Sequence, residues 1–152
     1  MADEVTLNEV ISVDLIACKL NVKDRDELIQ QVGNLMLKQD KIEPEYIGAM
    51  KRIIDELGPY VVIAPGIALL HARPEDGVKE VCIALATLDE PIEFGHPTND
   101  PVTIAFGLAA SDEQNHIRAL TTLAKKLAAP GVIEKLNDAQ SSEELFGIIC
   151  SD

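Results

Sequence analysis

The sequence of 152 residues carries 26 acidic and 13 basic side chains, which gives a formal net charge of -13 at pH 7. A chain of this length is the size of one domain. Its 47% hydrophobic content supplies enough apolar surface for a core, which excludes an intrinsically disordered chain. The strong acidity, without a run of Lys or Arg, argues against nucleic acid and anionic membranes as partners. We therefore expect a single domain over residues 5–150 that binds proteins or small solutes.

The N-terminus and the cysteines indicate the cellular compartment. The opening residues, MADEV, show no positive segment followed by an apolar stretch, so they do not resemble a secretory signal. No apolar run approaches the roughly 20 residues that cross a bilayer. Cys18, Cys82 and Cys150 lie far apart and form no CxxC pair. We expect a cytoplasmic protein that does not insert into a membrane.

The first part of the chain predicts a short strand and two helices. Residues 10–17 are apolar enough for a short strand, or for a strand followed by a turn. Asp24, followed three residues later by Glu27, predicts a helix start of the capping-box type. Pro44 stands at the first turn of a second helix, whose inner face is expected to include Leu57 and which stops at a Gly-Pro pair.

From residue 60 onwards the hydrophobic period shortens to that of strands. Strands are predicted over residues 60–64, 67–70, 78–88 and 102–110, with loops at 89–91 and 95–101. Continuous apolar runs of this kind are typical of strands that are buried on both faces. The predicted fold class is α/β: a mixed sheet of four to five strands flanked by helices, in a three-layer α/β/α sandwich.

Three further helices are predicted after the sheet. Ser111 is expected to cap a long helix, with Gln114 completing a capping box. A short helix follows the Pro-Gly pair at 130–131, and Ser141 or Ser142 caps the last one.

His71 is the first candidate for chemistry, because it lies where a predicted apolar strand enters a turn that carries Arg73. Such a position holds one side of an imidazole and leaves a ring nitrogen open to solvent, which suits a nucleophile or a proton carrier near neutral pH. The alternative is a histidine that merely closes the end of a strand. On position alone, both interpretations fit the sequence equally well.

His116 and His96 are the other two histidines. His116 falls near the start of the helix that follows Ser111, where the helix dipole favours an anion and disfavours a protonated imidazole. A neutral His116 could donate a hydrogen bond to a phosphate or a carboxylate, although a plain surface histidine is the simpler interpretation. His96 is most simply a solvated loop residue.

Three common types of site are missing from the sequence. No two Cys or His residues lie within a helical turn of each other, as a zinc site would need. No glycine spacing matches a Walker loop or a dinucleotide fingerprint, and no GxSxG elbow marks a serine hydrolase. The remaining expectation is a histidine-centred site without cofactor or metal, next to a helix N-terminus that can hold an anion.

Several separated motifs carry a family resemblance. The segment 58–78, GPYVVIAPGIALLHARPEDGV, resembles the phosphorylation-site region of the EIIA component of the bacterial phosphoenolpyruvate-dependent sugar phosphotransferase system (PTS), in its mannitol and fructose class (PTS EIIA type-2). The His-x-Arg-Pro-Glu turn makes it most similar to the ascorbate-type branch. Further matches follow in the same order at residues 99–102, 107–110, 115–123, 132–136 and 141–145.

This resemblance implies a role and a site. Members of the family accept a phosphoryl group from the phosphocarrier HPr on one histidine. They pass it to an EIIB component, which phosphorylates the sugar as the membrane component EIIC imports it. His71 matches the acceptor histidine. His116 matches a second histidine that supports the phosphorylated ring, and Arg73 is a candidate for charge stabilisation.

Two departures from the family pattern keep three hypotheses open. Mannitol-type members carry an Arg on the helix before the site, and the nearest candidate here, Arg52, is out of register by one residue. Leu70 and Ala72 stand where members usually have Pro and Gly on either side of the acceptor. The first hypothesis is a transport EIIA for an ascorbate-like or mannitol/fructose-like carbohydrate. The second is a regulatory, nitrogen-type EIIA that acts by phosphorylation-dependent protein binding. The third is an interaction domain that has lost phosphoryl chemistry.

Overall fold

The computed structural model describes residues 7–150. Two short 3-10 turns, Val13–Leu15 and Pro74–Asp76, accompany the regular elements. In chain order the helices and strands are α1 (Leu7–Val10), β1 (Ile16–Leu20), α2 (Arg25–Lys38), α3 (Glu45–Leu57), β2 (Val62–Ala64), β3 (Ile67–His71), β4 (Cys82–Ile92), β5 (Val102–Ala109), α4 (Glu113–Ala128), α5 (Val132–Asp138) and α6 (Ser142–Ile149).

Within residues 7–150, five strands form one mixed sheet in the order β1-β4-β5-β3-β2. β1 runs parallel to β4, and β3 runs parallel to β5. The pairs β4 with β5 and β2 with β3 are antiparallel. The predicted mixed sheet is therefore confirmed, at the upper end of the expected strand number.

Helices cover both faces of the sheet, which confirms the three-layer sandwich. α2 and α3 pack on one face, against strand residues that include Ala68 and Leu70. α1, α4, α5 and α6 pack on the other face, against strand residues that include Ile67 and Leu69. Because successive side chains of a strand point to opposite faces, His71 follows Ile67 and Leu69 onto the face that α4 covers.

Two glycines let α2 lie close to its neighbours. A Cβ atom on Gly107 of β5 would lie 2.6 Å from Cγ1 of Val32. A Cβ atom on Gly33 would lie 2.5 Å from Cγ1 of Ile47, in α3. Interiors are packed too densely to absorb such overlaps without movement. The two glycines thus fix the distance of α2 from the sheet and from α3.

Several predicted boundaries are wrong for local reasons. The stretch 10–17 begins as α1 and a 3-10 turn, and only its end belongs to β1. β4 begins at Cys82 rather than at residue 78, because Val78 pairs with Ile42 in an isolated bridge. β4 also continues through the predicted loop at 89–91, since its pairing with β5 shifts after Thr87 and is still made at Ile92.

The helix starts agree with the prediction more closely than the helix faces do. The side chain of Asp24 accepts from the amide of Glu27 at 2.8 Å, as the capping box predicted. Ser141 caps α6 through the amide of Glu144. Leu57, expected on the inner face of α3, is 62% exposed.

No helix within residues 7–150 combines the length and the apolar character needed to cross a bilayer.

Candidate functional site

His71 is the last residue of β3 and pairs with Leu108 of β5. Its half-buried ring places Nδ1 3.0 Å from the backbone oxygen of Leu69. A carbonyl oxygen can only accept, so Nδ1 carries the proton and donates it. In the neutral ring Nε2 then has a free lone pair, and no second hydrogen bond to this ring is found within residues 7–150. The structure leaves one nitrogen of His71 available as a nucleophile.

His116 lies beside His71, although the two are far apart in sequence. It occupies the first turn and a half of α4, and its side chain is half-buried. The two imidazole centroids are 5.4 Å apart, and the ring planes are tilted by 60°. The pair forms because β3 directs His71 towards the face of the sheet on which α4 packs. The structure thus brings together the two histidines that the sequence singled out.

The surroundings of His116 favour its neutral form. Burial lowers the pKa of His116 below its ordinary 6.5, and the adjacent His71 lowers it further, while Glu113 acts in the opposite direction. A neutral imidazole has one N–H that can donate a hydrogen bond and one nitrogen that can accept. At neutral pH the His116 ring, whose centroid lies 5.4 Å from that of His71, therefore carries one N–H that is able to donate a hydrogen bond.

The N-terminus of α4 differs from the prediction. Asp112, and not Ser111, is the capping residue, since its carboxylate accepts from the amide of Asn115 at 2.7 Å. Ser111 instead accepts from the side-chain amide of Asn115 at 3.2 Å. A carboxylate cap satisfies the helix and places a negative charge there, which opposes a second anion at this end. The donor that this helix offers beside His71 is the His116 ring.

Arg73 is not brought into the histidine pair. Its backbone N–H donates to the carboxylate of Asp76 at 2.9 Å, which closes the turn after His71. Its side chain is exposed, and no ion pair or hydrogen bond of its guanidinium is found within residues 7–150. Arg73 therefore remains a solvent-facing cation, two residues beyond His71.

Tyr46 is a residue near the site that the sequence reasoning missed. It is fully buried, and its hydroxyl lies 2.8 Å from the oxygen of Leu108 and 2.9 Å from the nitrogen of Ala72. A tyrosine on the buried face of an amphipathic helix is ordinarily assigned to the core. The hydroxyl was the feature of the sequence that could have pointed to this role, because a buried phenol needs a hydrogen-bond partner.

His96 lies at the other end of the sheet, in the loop that leads into β5. Its Nδ1 accepts from the amides of Thr98 and Asn99, at 3.1 and 3.0 Å. One carboxylate oxygen of Asp100 accepts from the amides of Phe94, Gly95 and His96 at 2.7 to 3.2 Å. His96 is therefore a structural part of its loop rather than a purely solvated side chain.

The cysteines show no sign of a reactive site. Cys82 is fully buried, and burial raises its pKa to about 12. Burial also raises the pKa of Cys150. Within residues 7–150 no group of three or more His, Cys, Asp or Glu side chains is arranged to hold a metal ion.

Comparison with known proteins matches almost the whole chain to one family. Residues 9–151 match the profile of the EIIA 2 family of the phosphoenolpyruvate-dependent sugar phosphotransferase system. The chain is similar to the ascorbate-specific PTS system EIIA component of Escherichia coli K12. The two sequences are 46% identical over 83 aligned residues, which are 55% of this chain. The match spans about half the length of that relative, 54%.

Solved structures of similar proteins have the same fold over nearly the whole chain. The solution structure of the mannitol-specific cryptic phosphotransferase enzyme IIA from Escherichia coli superposes with a TM-score of 0.88 and 30% identity, over 97% of this chain and 100% of that one. The mannitol enzyme IIA in a complex with phosphorylated enzyme IIB, also from Escherichia coli, superposes with a TM-score of 0.82 and 25% identity, over 93% and 98% of the two chains.

Proposed function

Because the chain belongs to the EIIA 2 family of the phosphoenolpyruvate-dependent sugar phosphotransferase system, a family of phosphotransferases, we propose that it carries a phosphoryl group on His71. The observation that carries this proposal is the protonation pattern of His71. Its Nδ1–H is held by the oxygen of Leu69, and its Nε2 is left free beside His116. That arrangement suits a neutral nitrogen nucleophile.

The transfer needs no group beyond those of the two proteins. The lone pair on Nε2 of His71 attacks the phosphorus atom of a phosphorylated donor histidine. A new N–P bond forms while the donor's N–P bond breaks, and its electron pair returns to the donor ring. The Nδ1 proton stays on His71, so the phosphorylated ring is positively charged, and the Leu69 oxygen stabilises that charge.

His116 supports the phosphorylated state. As a neutral ring it donates one N–H to an oxygen of the phosphoryl group, which partly offsets the negative charge that arrives next to it. A protonated His116 would bind the phosphoryl group more tightly and slow its departure. The lowered pKa of His116 in the unphosphorylated protein means that the ring meets the incoming phosphoryl group in its neutral form.

The proposed partners follow from the family and from the named relatives. We assign HPr as the donor and an EIIB component as the acceptor, with EIIC acting indirectly through EIIB. The similarity to a mannitol enzyme IIA that was solved in complex with phosphorylated enzyme IIB supports the EIIB assignment. The similarity to an ascorbate-specific component supports carbohydrate uptake of the ascorbate type. The proposed location is the cytoplasm, and residues 5–150 are proposed to act as one domain.

Of the two alternative hypotheses, the geometry of the histidine pair disfavours one and does not distinguish the other from the transport role. A domain that had lost phosphoryl chemistry has no need for a histidine pair with one free nitrogen, and that pair is present despite Leu70 and Ala72. A regulatory EIIA of the nitrogen type predicts the same phosphohistidine without sugar flux, so it is separated by a transport assay rather than by the site.

The proposal is tested by phosphorylation of the purified chain. Incubation with labelled phosphoenolpyruvate, enzyme I and HPr is expected to label the wild type and to leave His71→Ala unlabelled. His96→Ala is the matched control, because it removes an imidazole from the opposite end of the sheet, and it is expected to label fully. An unlabelled wild type, or equal labelling of His71→Ala, would overturn the assignment.

A second assay separates transport from regulation. The labelled protein is mixed with an ascorbate-type EIIB, and the loss of label from His71 is followed with time. Transfer to EIIB is expected on the transport hypothesis. Retention of the label in the presence of EIIB would favour the regulatory alternative.

A further inference from the structure

The hydroxyl of Tyr46 reaches the end of β3 from the face opposite to the histidine pair. Tyr46 belongs to the core between the sheet and α2 and α3, whereas Leu69 and Leu108 face the α4 side. Its hydroxyl is 2.8 Å from the oxygen of Leu108 and 2.9 Å from the nitrogen of Ala72. The hydroxyl also lies 3.3 Å from the backbone oxygen of Ala72. A phenol has one proton, and the shorter contact assigns it to the oxygen of Leu108, while the amide of Ala72 donates to the phenolic oxygen.

We propose that Tyr46 is a positioning residue for the histidine nucleophile: its hydroxyl holds the end of β3 against β5 and so fixes the backbone from which the His71 ring is oriented. The proposal rests on the proposed role of His71 as the phosphoryl acceptor. Tyr46 does not touch the reacting nitrogen, because the backbone of Ala72 lies between them in the hydrogen-bond arrangement.

The strand pairing shows why a clamp is needed at this point. The parallel ladder of β3 and β5 ends at the pair His71 and Leu108. Ala72 is buried but lies beyond the last rung, so its amide needs another partner. The phenol supplies that partner and also takes up the Leu108 oxygen. The hydroxyl of Tyr46 therefore links β3 to β5 one position beyond their last backbone pair, directly after His71.

Tyr46 is itself anchored to the segment that follows His71. The backbone of residues 41–43 forms hydrogen bonds to residues 77–80, including Glu43 N to Gly77 O at 2.7 Å. Two ion pairs, Lys41 with Glu80 at 2.7 Å and Lys79 with Asp40 at 2.6 Å, join the same two segments. These contacts join the residues just before α3 to the residues just after the turn that follows His71.

Burial keeps the phenol in the protonated form that this clamp requires. The pKa of Tyr46 is raised, chiefly by its burial, so the hydroxyl remains neutral throughout the range in which the protein works. A permanently protonated phenol can donate and accept hydrogen bonds, but it is not a proton carrier. Its effect on the reaction must therefore pass through geometry, to which phosphoryl transfer is sensitive.

Tyr46→Phe tests the proposal with a change of one oxygen atom. Single-turnover transfer from phosphorylated HPr is measured over a range of HPr concentrations. The limiting rate is expected to fall about tenfold, since misplacement of a reacting group by about 1 Å can slow a reaction about a hundredfold. The half-saturating concentration is expected to stay unchanged. The matched control is Tyr60→Phe, which removes the same atom from the other tyrosine, 80% exposed, and should change neither value.

A second measurement needs no phosphoryl donor. Long-range proton–nitrogen NMR correlations identify which nitrogen of His71 carries the proton in the free protein. The wild type and Tyr60→Phe are expected to show protonation at Nδ1, whereas Tyr46→Phe should show a mixture of the two tautomers. If the wild type is never phosphorylated, the proposed function fails, and this spectrum still decides whether Tyr46 orients the ring.

The remaining outcomes are decisive as well. An unchanged nitrogen spectrum in folded Tyr46→Phe, or an unchanged limiting rate where transfer occurs, would overturn the proposal. If Tyr46→Phe does not fold, Tyr46 is instead replaced by 3-fluorotyrosine, whose hydroxyl is a stronger hydrogen-bond donor. The replacement is made in the Tyr60→Phe variant, in which position 46 holds the one remaining tyrosine. A shift of the His71 nitrogen signals in that protein supports the clamp, and unshifted signals overturn it.

Discussion

The two ends of the sheet hold their histidines in opposite ways. At one end His71 donates from Nδ1 to the Leu69 oxygen, and its Nε2 stays free. At the other end His96 accepts on Nδ1 from two backbone amides, those of Thr98 and Asn99. In its neutral form His96 must carry its proton on Nε2. Both rings are half-buried, so exposure does not distinguish them.

The direction of the Nδ1 hydrogen bond distinguishes the proposed phosphoryl acceptor from the histidine that holds a loop. A ring that donates from Nδ1 keeps a nucleophilic lone pair on Nε2. A ring that accepts on Nδ1 has no free lone pair on either nitrogen, and protonation of Nδ1 would break both of its bonds to the loop. Substitutions at the His71 end should therefore affect phosphoryl transfer, and substitutions at the His96 end should affect stability.

The largest effect is expected for His71→Ala. Phosphoryl acceptance should be lost, because His71 is the proposed acceptor, with its Nδ1 held by the oxygen of Leu69 and its Nε2 left as the nucleophile. The free energy of unfolding should change by only about 1 kcal/mol, since one hydrogen bond to a backbone oxygen is lost. Label incorporation and urea unfolding measure the two quantities. If His71→Ala lost labelling only because the domain had unfolded, the proposed role of His71 in the chemistry rather than in stability would be contradicted.

Asp100→Ala is expected to show the reverse behaviour. Its carboxylate oxygen accepts from three backbone amides of the loop at residues 94–96, so the free energy of unfolding should fall by about 2 to 3 kcal/mol. The rate of phosphoryl acceptance, measured below the unfolding transition, should remain that of the wild type. Asp89→Ala, an exposed carboxylate in β4, is the control and should change stability by less than about 0.5 kcal/mol.

His96→Ala should lower the free energy of unfolding by about 1 kcal/mol, because two loop amides lose their acceptor and water replaces it only in part. His96→Asn should restore most of this loss, since the asparagine oxygen can occupy the place of Nδ1. Urea midpoints of the two variants provide the comparison. Equal destabilisation by Ala and Asn would mean that the acceptor at Nδ1 does not hold the loop.

The smallest effect concerns pH. Because the pKa of His116 is lowered in the folded state, the unfolded chain binds its proton more readily as pH falls below 6.5. The wild type should lose stability over this interval, down to the folded pKa, by more than His116→Gln does. Urea midpoints at pH 7 and pH 5.5 measure the difference. An equal loss in both proteins would show that His116 is not held in its neutral form.

Much of the fold was predictable, because it depends on local patterns. The capping box at Asp24 and the apolar runs of β3 and β5 predicted elements that the structure contains. Boundaries failed where non-local pairing decides them. β4 continues past Thr87 because Val102 lies opposite Ile92, a relation that the sequence of β4 alone does not contain.

The histidines of the candidate site could be predicted from the sequence, but the hydrogen bonds around them could not. His71 and His116 could be chosen because the chain has only three histidines. The preference for Asp112 over Ser111 as a helix cap depends on one residue of register, which sequence patterns do not resolve. The clamp of Tyr46 joins α3 to the ends of β3 and β5, and such contacts become visible only in three dimensions.

The most direct test of the central claim identifies the atom that receives the phosphoryl group. Nitrogen-labelled protein is phosphorylated with phosphoenolpyruvate, enzyme I and HPr, and the coupling between phosphorus and ring nitrogens is recorded by NMR. We expect coupling to Nε2 of His71, with the signals of His96 unchanged. Coupling to Nδ1 of His71, or to any nitrogen of His116 or His96, would contradict the assignment of Nε2 of His71 as the acceptor atom.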